Sequence, residues 1–466
     1  MTLAAALEAA VGPEHVLVDK DLRASYETDW TRRFTGTARA VVRPATTEQV
    51  AGVLAACTGA RVPVVVQGGN TGLVGGGVPG PEPGDNPPVL LVTTRLDELS
   101  ALSPAARQVT AGAGVRLAAL TARARAAGLD FGVDLAARDS ATVGGMVATN
   151  AGGIRVVRHG SMREQVAGVE AALADGRIIS RLDGLAKDST GYDLGHLLAG
   201  SEGTLAVITR LRLRLVAPEP GRALAFIAVR DTADAVELLA GLRARLAGVS
   251  AAELCFAAGL ELVARYLGTP VPLAGTGGAY VLIEVAGDTD PLDELLAALQ
   301  ECDQVLDATV ASSAAERARL WQLREAHTEA ISSAGIPVKL DVSVPAGRLA
   351  ELVGRLPDAV AAAGPAARLI VFGHLAEANL HVNVLHADAE AVTGAVLALV
   401  ASLRGSISSE HGIGRAKATW LGLSRSQPEI DLMRAVKAAF DPLGLLNPGV
   451  LFPAAPRAAQ AGAGVG

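Results

Sequence analysis

Three of the chain's eight histidines fall in two short segments near its C-terminal end. In Gly373-His374-Leu-Ala-Glu377-Ala-Asn379-Leu-His381-Val-Asn383, alternation places Ile370, Phe372 and His374 on one face of a strand. It places Asn379, His381 and Asn383 on one face of the next. Paired as a hairpin, the two strands bring His374, His381 and Asn383 into one pocket. The second segment is Ser409-Glu410-His411-Gly412-Ile413-Gly414. Two imidazoles and one carboxylate form a donor set for a divalent ion of zinc type, with one position left open as catalytic zinc requires. The same side chains can also line a cleft as hydrogen-bonded histidines without a metal.

A second group is cationic. Arg324 and Thr328 stand at i and i+4 on a helix expected over 314–333, which opens on the capping-box pattern Ser313-Ala-Ala-Glu316. On the strand expected over Val338–Val344, Lys339, Asp341 and Ser343 share a face opposite Val338, Leu340, Val342 and Val344. Taken singly, each cation reads as a surface residue paired with a nearby acid.

A third group is glycine-rich. The run Gln67-Gly68-Gly69-Asn70-Thr71-Gly72-Leu73-Val-Gly-Gly-Gly77 follows a strand over Val62–Val66. Without Cβ atoms, its backbone N–H groups can converge on an anion. No Gly-Lys-Ser/Thr follows, and the GxGxxG spacing is absent, so it is neither a Walker loop nor a Rossmann fingerprint. A second dense segment carries Asp134, Ser140, Thr142, Gly144, Gly145, Asn150, Gly152 and Gly153. A third, Gly200-Ser-Glu202-Gly203-Thr-Leu205, precedes the strand Ala206–Leu215, which contains Val207 and Ile208. Two such loops in one domain suit a long diphosphate clamped from two sides. Gly112-Ala-Gly114-Val-Arg-Leu117 lacks the third glycine and reads as a strand-to-helix turn.

These groups must be positioned by more than one core, since 466 residues exceed what one core serves. Residues 1–37 form an N-terminal segment, and residues 38–219 alternate short strands, helices and glycines. Pro218-Glu-Pro-Gly221 is a linker. From 220 to 405, strands and amphipathic helices read as an antiparallel α+β domain. A segment over 406–455 and a disordered tail over 456–466 complete the expected division. Half the residues are apolar and 19% charged, as in a globular protein. A net charge of −7 offers no basic field for nucleic acid, while leaving room for small anions in a local pocket. Three distant cysteines imply a reduced compartment. The apolar start carries Glu8 and no basic lead-in, no stretch is long enough to span a bilayer, and the cytoplasm is the expected location.

The glycine segments resemble those of the vanillyl-alcohol oxidase / p-cresol methylhydroxylase superfamily over roughly Ala38 to Pro218. That resemblance implies a two-part FAD domain in which the first loop holds the pyrophosphate. The second loop would contact flavin and ribityl, and Val207 or Ile208 would lie by the adenine. Asn70 and Thr71 offer no nucleophile, so non-covalent FAD is expected. Asn447-Pro-Gly449 resembles a terminal flavin contact.

The histidine motifs are similar to those of FAD-linked D-2-hydroxy-acid dehydrogenases, although Ala376, Glu377 and Ala378 stand where that family has Gly, Asp and Gly. The resemblance implies His374, His381 and Glu410 as ligands of a divalent metal, zinc by type. It implies His411 as base, with His374 also in the catalytic group and Asn383 orienting the substrate carboxylate. Arg324, Thr328 and Lys339 match the D-2-hydroxyglutarate branch, where they grip the distal carboxylate. The implied fold is α+β: an FAD domain, a ferredoxin-like antiparallel substrate cap and a C-terminal helical segment. The implied reaction is oxidation of a D-2-hydroxy acid. D-lactate or glycolate is the alternative substrate, and a non-catalytic flavin-binding subunit is the rival outside enzymes. The acceptor (an electron-transfer flavoprotein, a quinone or O₂) and a homodimer are left open.

Overall fold

Valine-rich runs flanked by glycine and proline form the strands of the N-terminal half. The computed structural model describes residues 1–81, 86–364 and 366–453. A first sheet holds β1 (Val16–Leu17), β2 (Ala40–Val42), β3 (Val64–Gln67) and β4 (Val89–Val92), in the order β1-β2-β4-β3. β2 and β3 both run parallel to β4. Parallel strands need a crossover, and the helix Thr47–Gly59 joins β2 to β3. Its N-terminus is capped by Thr46, whose Oγ1 accepts from Gln49 N at 3.2 Å.

A second sheet holds β5 (Gln108–Gly112), β6 (Val166–Ala172), β7 (Ile178–Arg181) and β8 (Val207–Arg214) in the antiparallel order β5-β8-β6-β7. β8 alternates: Thr209, Leu211 and Leu213 are buried, while Arg210, Arg212 and Arg214 are half-buried. The two sheets share one apolar core, which also takes in Leu446 from the chain's far end.

Beyond Pro218-Glu219-Pro220 lies one seven-stranded antiparallel sheet. Its strands are β9 (Gly221–Val229), β10 (Val249–Cys255), β11 (Ala279–Gly287), β12 (Asp307–Ala311), β13 (Val338–Ser343), β14 (Arg368–His374) and β15 (Asn379–Leu385). The spatial order is β12-β9-β11-β10-β14-β15-β13. Both faces of β9 are buried. Ala225 and Ile227 join the core with the helices Thr232–Arg245, Leu349–Ala363 and Ala389–Ser402, and Leu224 and Phe226 join the core with Ala257–Leu267. The antiparallel cap expected from the sequence is present.

The helix expected over 314–333 is in fact two, Ala314–Glu325 and His327–Ala334, which break at Ala326. Arg324 therefore ends one helix and Thr328 begins the next, rather than both riding one continuous face. Ser313 caps the first helix, accepting from Glu316 N at 3.2 Å, but Glu316 returns its bond to Ser312 rather than to Ser313.

The last segment turns back to the first sheet. Leu446 bridges Val64 in parallel, and Asn447 Oδ1 accepts from Val66 N at 2.8 Å. A capping box at Ser426 and Glu429 opens the helix Gln427–Phe440. The tail expected over 456–466 lies outside the described residues.

Candidate active site

One cavity of about 850 Å³ runs from the glycine loops to the β13–β15 end of the large sheet. Its glycine-loop end is shaped by the absence of Cβ atoms. A Cβ on Gly69 would fall 1.9 Å from Ser140 O, and one on Gly68 2.5 Å from Thr142 Oγ1, so the two glycine segments meet only because these positions are glycine. Among the described residues, none of the backbone N–H groups of Gly68, Gly69, Asn70, Thr71 and Gly72 donates a hydrogen bond. Thr142 Oγ1 is buried and likewise without a partner. Unspent donors of this kind around a cavity fit a large anionic cofactor such as FAD.

Gln67, Gly68, Gly69, Asn70, Thr71, Gly72, Leu73, Ser140, Thr142, Gly144, Gly145, Gly152, Gly153, Glu202, Gly203, Ile208 and Asn447 all line the cavity. Three expected cofactor residues do not. Asp134 spends its carboxylate on Arg138 Nε at 2.9 Å. Asn150 sits in the left-handed region (φ 52°) at the end of the helix Val143–Thr149, and its Oδ1 accepts from Ser161 Oγ and Arg163 N. Val207 points into the core, which leaves Ile208 on the cavity.

At the other end, the hairpin register pairs Ile370 with Asn383, Phe372 with His381 and His374 with Asn379, which puts these six on one face. The turn closes with Ala378 at φ 48°, a left-handed position that favours glycine and costs an alanine about 1–2 kcal/mol. In this turn Leu375 O accepts from Ala378 N at 3.1 Å, and Ala378 is packed in the core.

His374 Nε2 lies 3.4 Å from His381 Nε2 and 3.6 Å from Glu410 Oε1, and the three residues' ligand atoms are within 4.8 Å of one another. A tetrahedral ion with bonds of about 2.0–2.1 Å spaces its ligands by roughly 3.3 Å. The donor set therefore fits a zinc-type ion. Glu410 Oε1 also accepts from Gly153 N at 2.8 Å, tying this cluster to the second glycine segment. Burial works against charge on His374, but Glu253 and Glu410 outweigh it and hold its pKa well above the ordinary imidazole value. Burial, reinforced by His374, pushes His381 down to about 3. Glu410 falls to about 2: burial raises it, and the His374 charge more than reverses that.

Two buried acids that the motifs did not single out as site residues organise the cluster. Glu253 lies on β10 in the run Ser250-Ala-Ala-Glu-Leu-Cys and is wholly buried. Its Oε1 meets His374 Nδ1 at 2.7 Å, and its Oε2 accepts from Arg324 Nε. Asp341 is equally buried. Its Oδ2 accepts from the backbone N–H of Ser409, Glu410 and His411 at 3.0, 2.7 and 3.0 Å, and its Oδ1 from Asn379 Nδ2 at 2.8 Å. A carboxylate inside an otherwise apolar strand was the signal that could have marked Glu253. His411 stacks on His381 with centroids 5.7 Å apart, and its Nδ1 lies 4.0 Å from Asp341 Oδ2.

Arg324, Thr328, Lys339 and Asn383 all line the same cavity. Arg324 stacks on Phe372 with its Nε committed to Glu253, which leaves its terminal nitrogens for other partners. Lys339 Nζ makes no hydrogen bond or ion pair among the described residues. Its pKa is lowered by burial, then by the charge of Arg33, against an opposing effect of Glu329.

Residues 38–181 match the FAD binding domain family, and residues 219–451 match the FAD linked oxidases, C-terminal domain family. The chain is 38% identical over 462 residues to mitochondrial D-2-hydroxyglutarate dehydrogenase of Bos taurus, covering 96% of this chain and 83% of that one. It is 37% identical to D-2-hydroxyglutarate dehydrogenase of Xanthomonas citri pv. viticola, covering 92% of each chain. Among solved structures, substrate-bound p-cresol methylhydroxylase superposes with a TM-score of 0.76 at 16% identity, covering 97% of this chain and 96% of that one, and so shares the fold. With both halves matched and 92–96% of the chain aligned to these relatives, the chain belongs to the FAD-linked D-2-hydroxy-acid dehydrogenase family, built on the p-cresol methylhydroxylase-type FAD-binding fold.

Proposed function

We propose that this protein oxidises D-2-hydroxyglutarate to 2-oxoglutarate. The observation that carries this reading is that one cavity is lined by the glycine loops, the His374/His381/Glu410/His411 cluster and the cationic pair Arg324 and Lys339. FAD, when bound along the glycine loops, would supply the two-electron acceptor, and a divalent ion held by His374, His381 and Glu410 would supply Lewis acidity. Among the described residues, neither histidine nor cysteine stands in the glycine segments that line the cavity, which supports non-covalent FAD.

His411 is the base that takes the 2-hydroxyl proton. The buried Asp341 carboxylate, 4.0 Å from its Nδ1, holds the 409–411 backbone N–H groups and so fixes where the His411 imidazole stands in the cavity. Asn383, whose Nδ2 donates to His381 O at 3.1 Å, is held beside His381 to orient the 1-carboxylate. Lys339, Thr328 and the terminal nitrogens of Arg324 receive the distal carboxylate. A second carboxylate gives this cationic end its partner, and a substrate with one carboxylate leaves Lys339 unpaired.

The boundary between 38–219 and 220–405 is supported by the gap between β8, ending at Arg214, and β9, starting at Gly221. Among the described residues, no helix is long and apolar enough to cross a membrane. The three cysteines are unpaired and buried, which supports the cytoplasm or another reducing compartment. Electrons leave to an acceptor that is a protein, a quinone or O₂.

Anaerobic bleaching of the bound flavin tests the reading. D-2-hydroxyglutarate should bleach it rapidly, D-lactate slowly, and prior chelation should abolish both while leaving the flavin bound. Faster bleaching by D-lactate or glycolate would reject the substrate, and no bleaching by any 2-hydroxy acid would reject the activity.

A further inference from the structure

The segment between the N-terminal helices and β2 reaches the far end of the cavity. Residues 28–35 form a tight loop: Thr28 bridges Thr35, and Asp29 takes the N–H of Phe34 on its carboxylate at 2.9 Å. The loop is fastened to the first glycine segment at three points. Asn70 Nδ2 donates to Thr28 O at 2.9 Å, and Trp30 Nε1 donates to Thr71 O at 3.1 Å. Phe34 packs against Gly75 so closely that a Cβ there would lie 2.7 Å from its ring. Trp30 lines the cavity yet stays 53% exposed, so an aromatic face stands at the cavity's edge. The Lys339 ammonium, from the other half of the molecule, sits 5.8 Å from the centre of that ring.

We propose that Trp30 is the outer wall of the distal-carboxylate site and a specificity-determining residue for substrates with a second carboxylate. This rests on the substrate reading given above. A half-buried ammonium with no anion of its own has few ways to stay fixed, and an aromatic face is one of them. Trp30 holds the Lys339 ammonium at the cavity, and the Thr71 bond keeps the indole from swinging outward. The Arg33 guanidinium, on the same loop, adds a second positive charge whose field reaches Lys339. A carboxylate arriving between loop and sheet relieves that repulsion. Glu329, the acid whose charge acts on Lys339, makes no ion pair with it among the described residues. Because the loop hangs on Thr28–Asn70 and Trp30–Thr71, the wall stands where the cofactor loop puts it.

The test compares D-2-hydroxyglutarate with D-2-hydroxybutyrate, which lacks the distal carboxylate, in the FAD-loaded wild type, W30L and W30F. W30L is expected to raise KM for the dicarboxylate roughly tenfold, with kcat and the D-2-hydroxybutyrate KM unchanged. W30F, which keeps a ring face, is expected to retain most of the preference. In a second measurement, glutarate, a redox-inert dicarboxylate, should quench tryptophan fluorescence of the wild type and not of W30F, which still contains Trp321 and Trp420; butyrate should quench neither. If the wild type prefers the dicarboxylate but W30L shifts both substrates alike or neither, Trp30 only glues the loop and the inference falls while the substrate reading stands. Equal quenching in wild type and W30F overturns it as well. A wild type without preference overturns both readings.

Discussion

Glu253 Oε1 sits 2.7 Å from His374 Nδ1 while its other oxygen holds Arg324, so one buried carboxylate sets both a cluster imidazole and the Arg324 guanidinium at the cavity. It leaves Nε2 of His374 as the nitrogen facing His381 and Glu410, and it turns the remaining nitrogens of Arg324 toward other partners. A single change at this position should therefore be felt at both ends of the substrate.

Glu253→Gln keeps the shape and removes the charge. Metal retention and kcat/KM for D-2-hydroxyglutarate should each fall about 10- to 100-fold, as when the outer partner of a ligating histidine is lost. Metal content after dialysis against a chelator, read beside steady-state kinetics, checks this; unchanged values in both would show that His374 needs no such partner.

His411→Ala should retain FAD, with the flavin absorbance ratio of the wild type, and lose about 10²- to 10⁴-fold in kcat. Turnover near the wild-type rate would remove His411 from the role of base.

Lys339→Met should raise KM for D-2-hydroxyglutarate about tenfold or more and leave D-lactate unaffected. The pH dependence carries a sign. Burial and then Arg33 lower the Lys339 pKa below the usual lysine value, so its charge is present at low pH and lost as pH rises through that lowered pKa. A bound dianion favours the charged form, hence KM for the dicarboxylate should rise on the alkaline side, earlier than an ordinary lysine would dictate. Lys339→Met should abolish this alkaline limb, and an identical limb in the variant would assign it to another group.

Gly69→Ala places a methyl 1.9 Å from Ser140 O, a clash that two backbone segments must relieve by moving apart. Overpacking of this kind costs about 1–3 kcal/mol. Flavin content of the purified protein should drop and the gain in Tm on adding FAD should shrink. Full flavin occupancy would mean that the loops have slack the structure does not show.

Residue types and their alternation marked out the candidate site residues, and the resemblance of those motifs to known ones gave the family and the cofactor. Alternation survives any tertiary arrangement, so His374, His381 and Asn383 were bound to share a face once β14 and β15 paired as a hairpin. Likewise, glycines that tolerate no Cβ announce a close backbone approach before its partner is known.

What the chain order could not disclose were partners distant in sequence whose roles come only from burial. Glu253 and Asp341 read as ordinary acids on strands until the fold removes water from them and leaves His374, Arg324 and the 409–411 backbone as their partners. Asp134, Asn150 and Val207 sit in motif segments yet point elsewhere, because an ion pair, a helix end and the core claimed them first. Trp30 stands far from both motifs in sequence, and only the folding of the N-terminal loop onto Thr71 brings it to Lys339. Sequence periodicity determines which side of its own element a residue occupies; which other element faces that side is decided by long-range packing, and there lies the difference between a motif and a site.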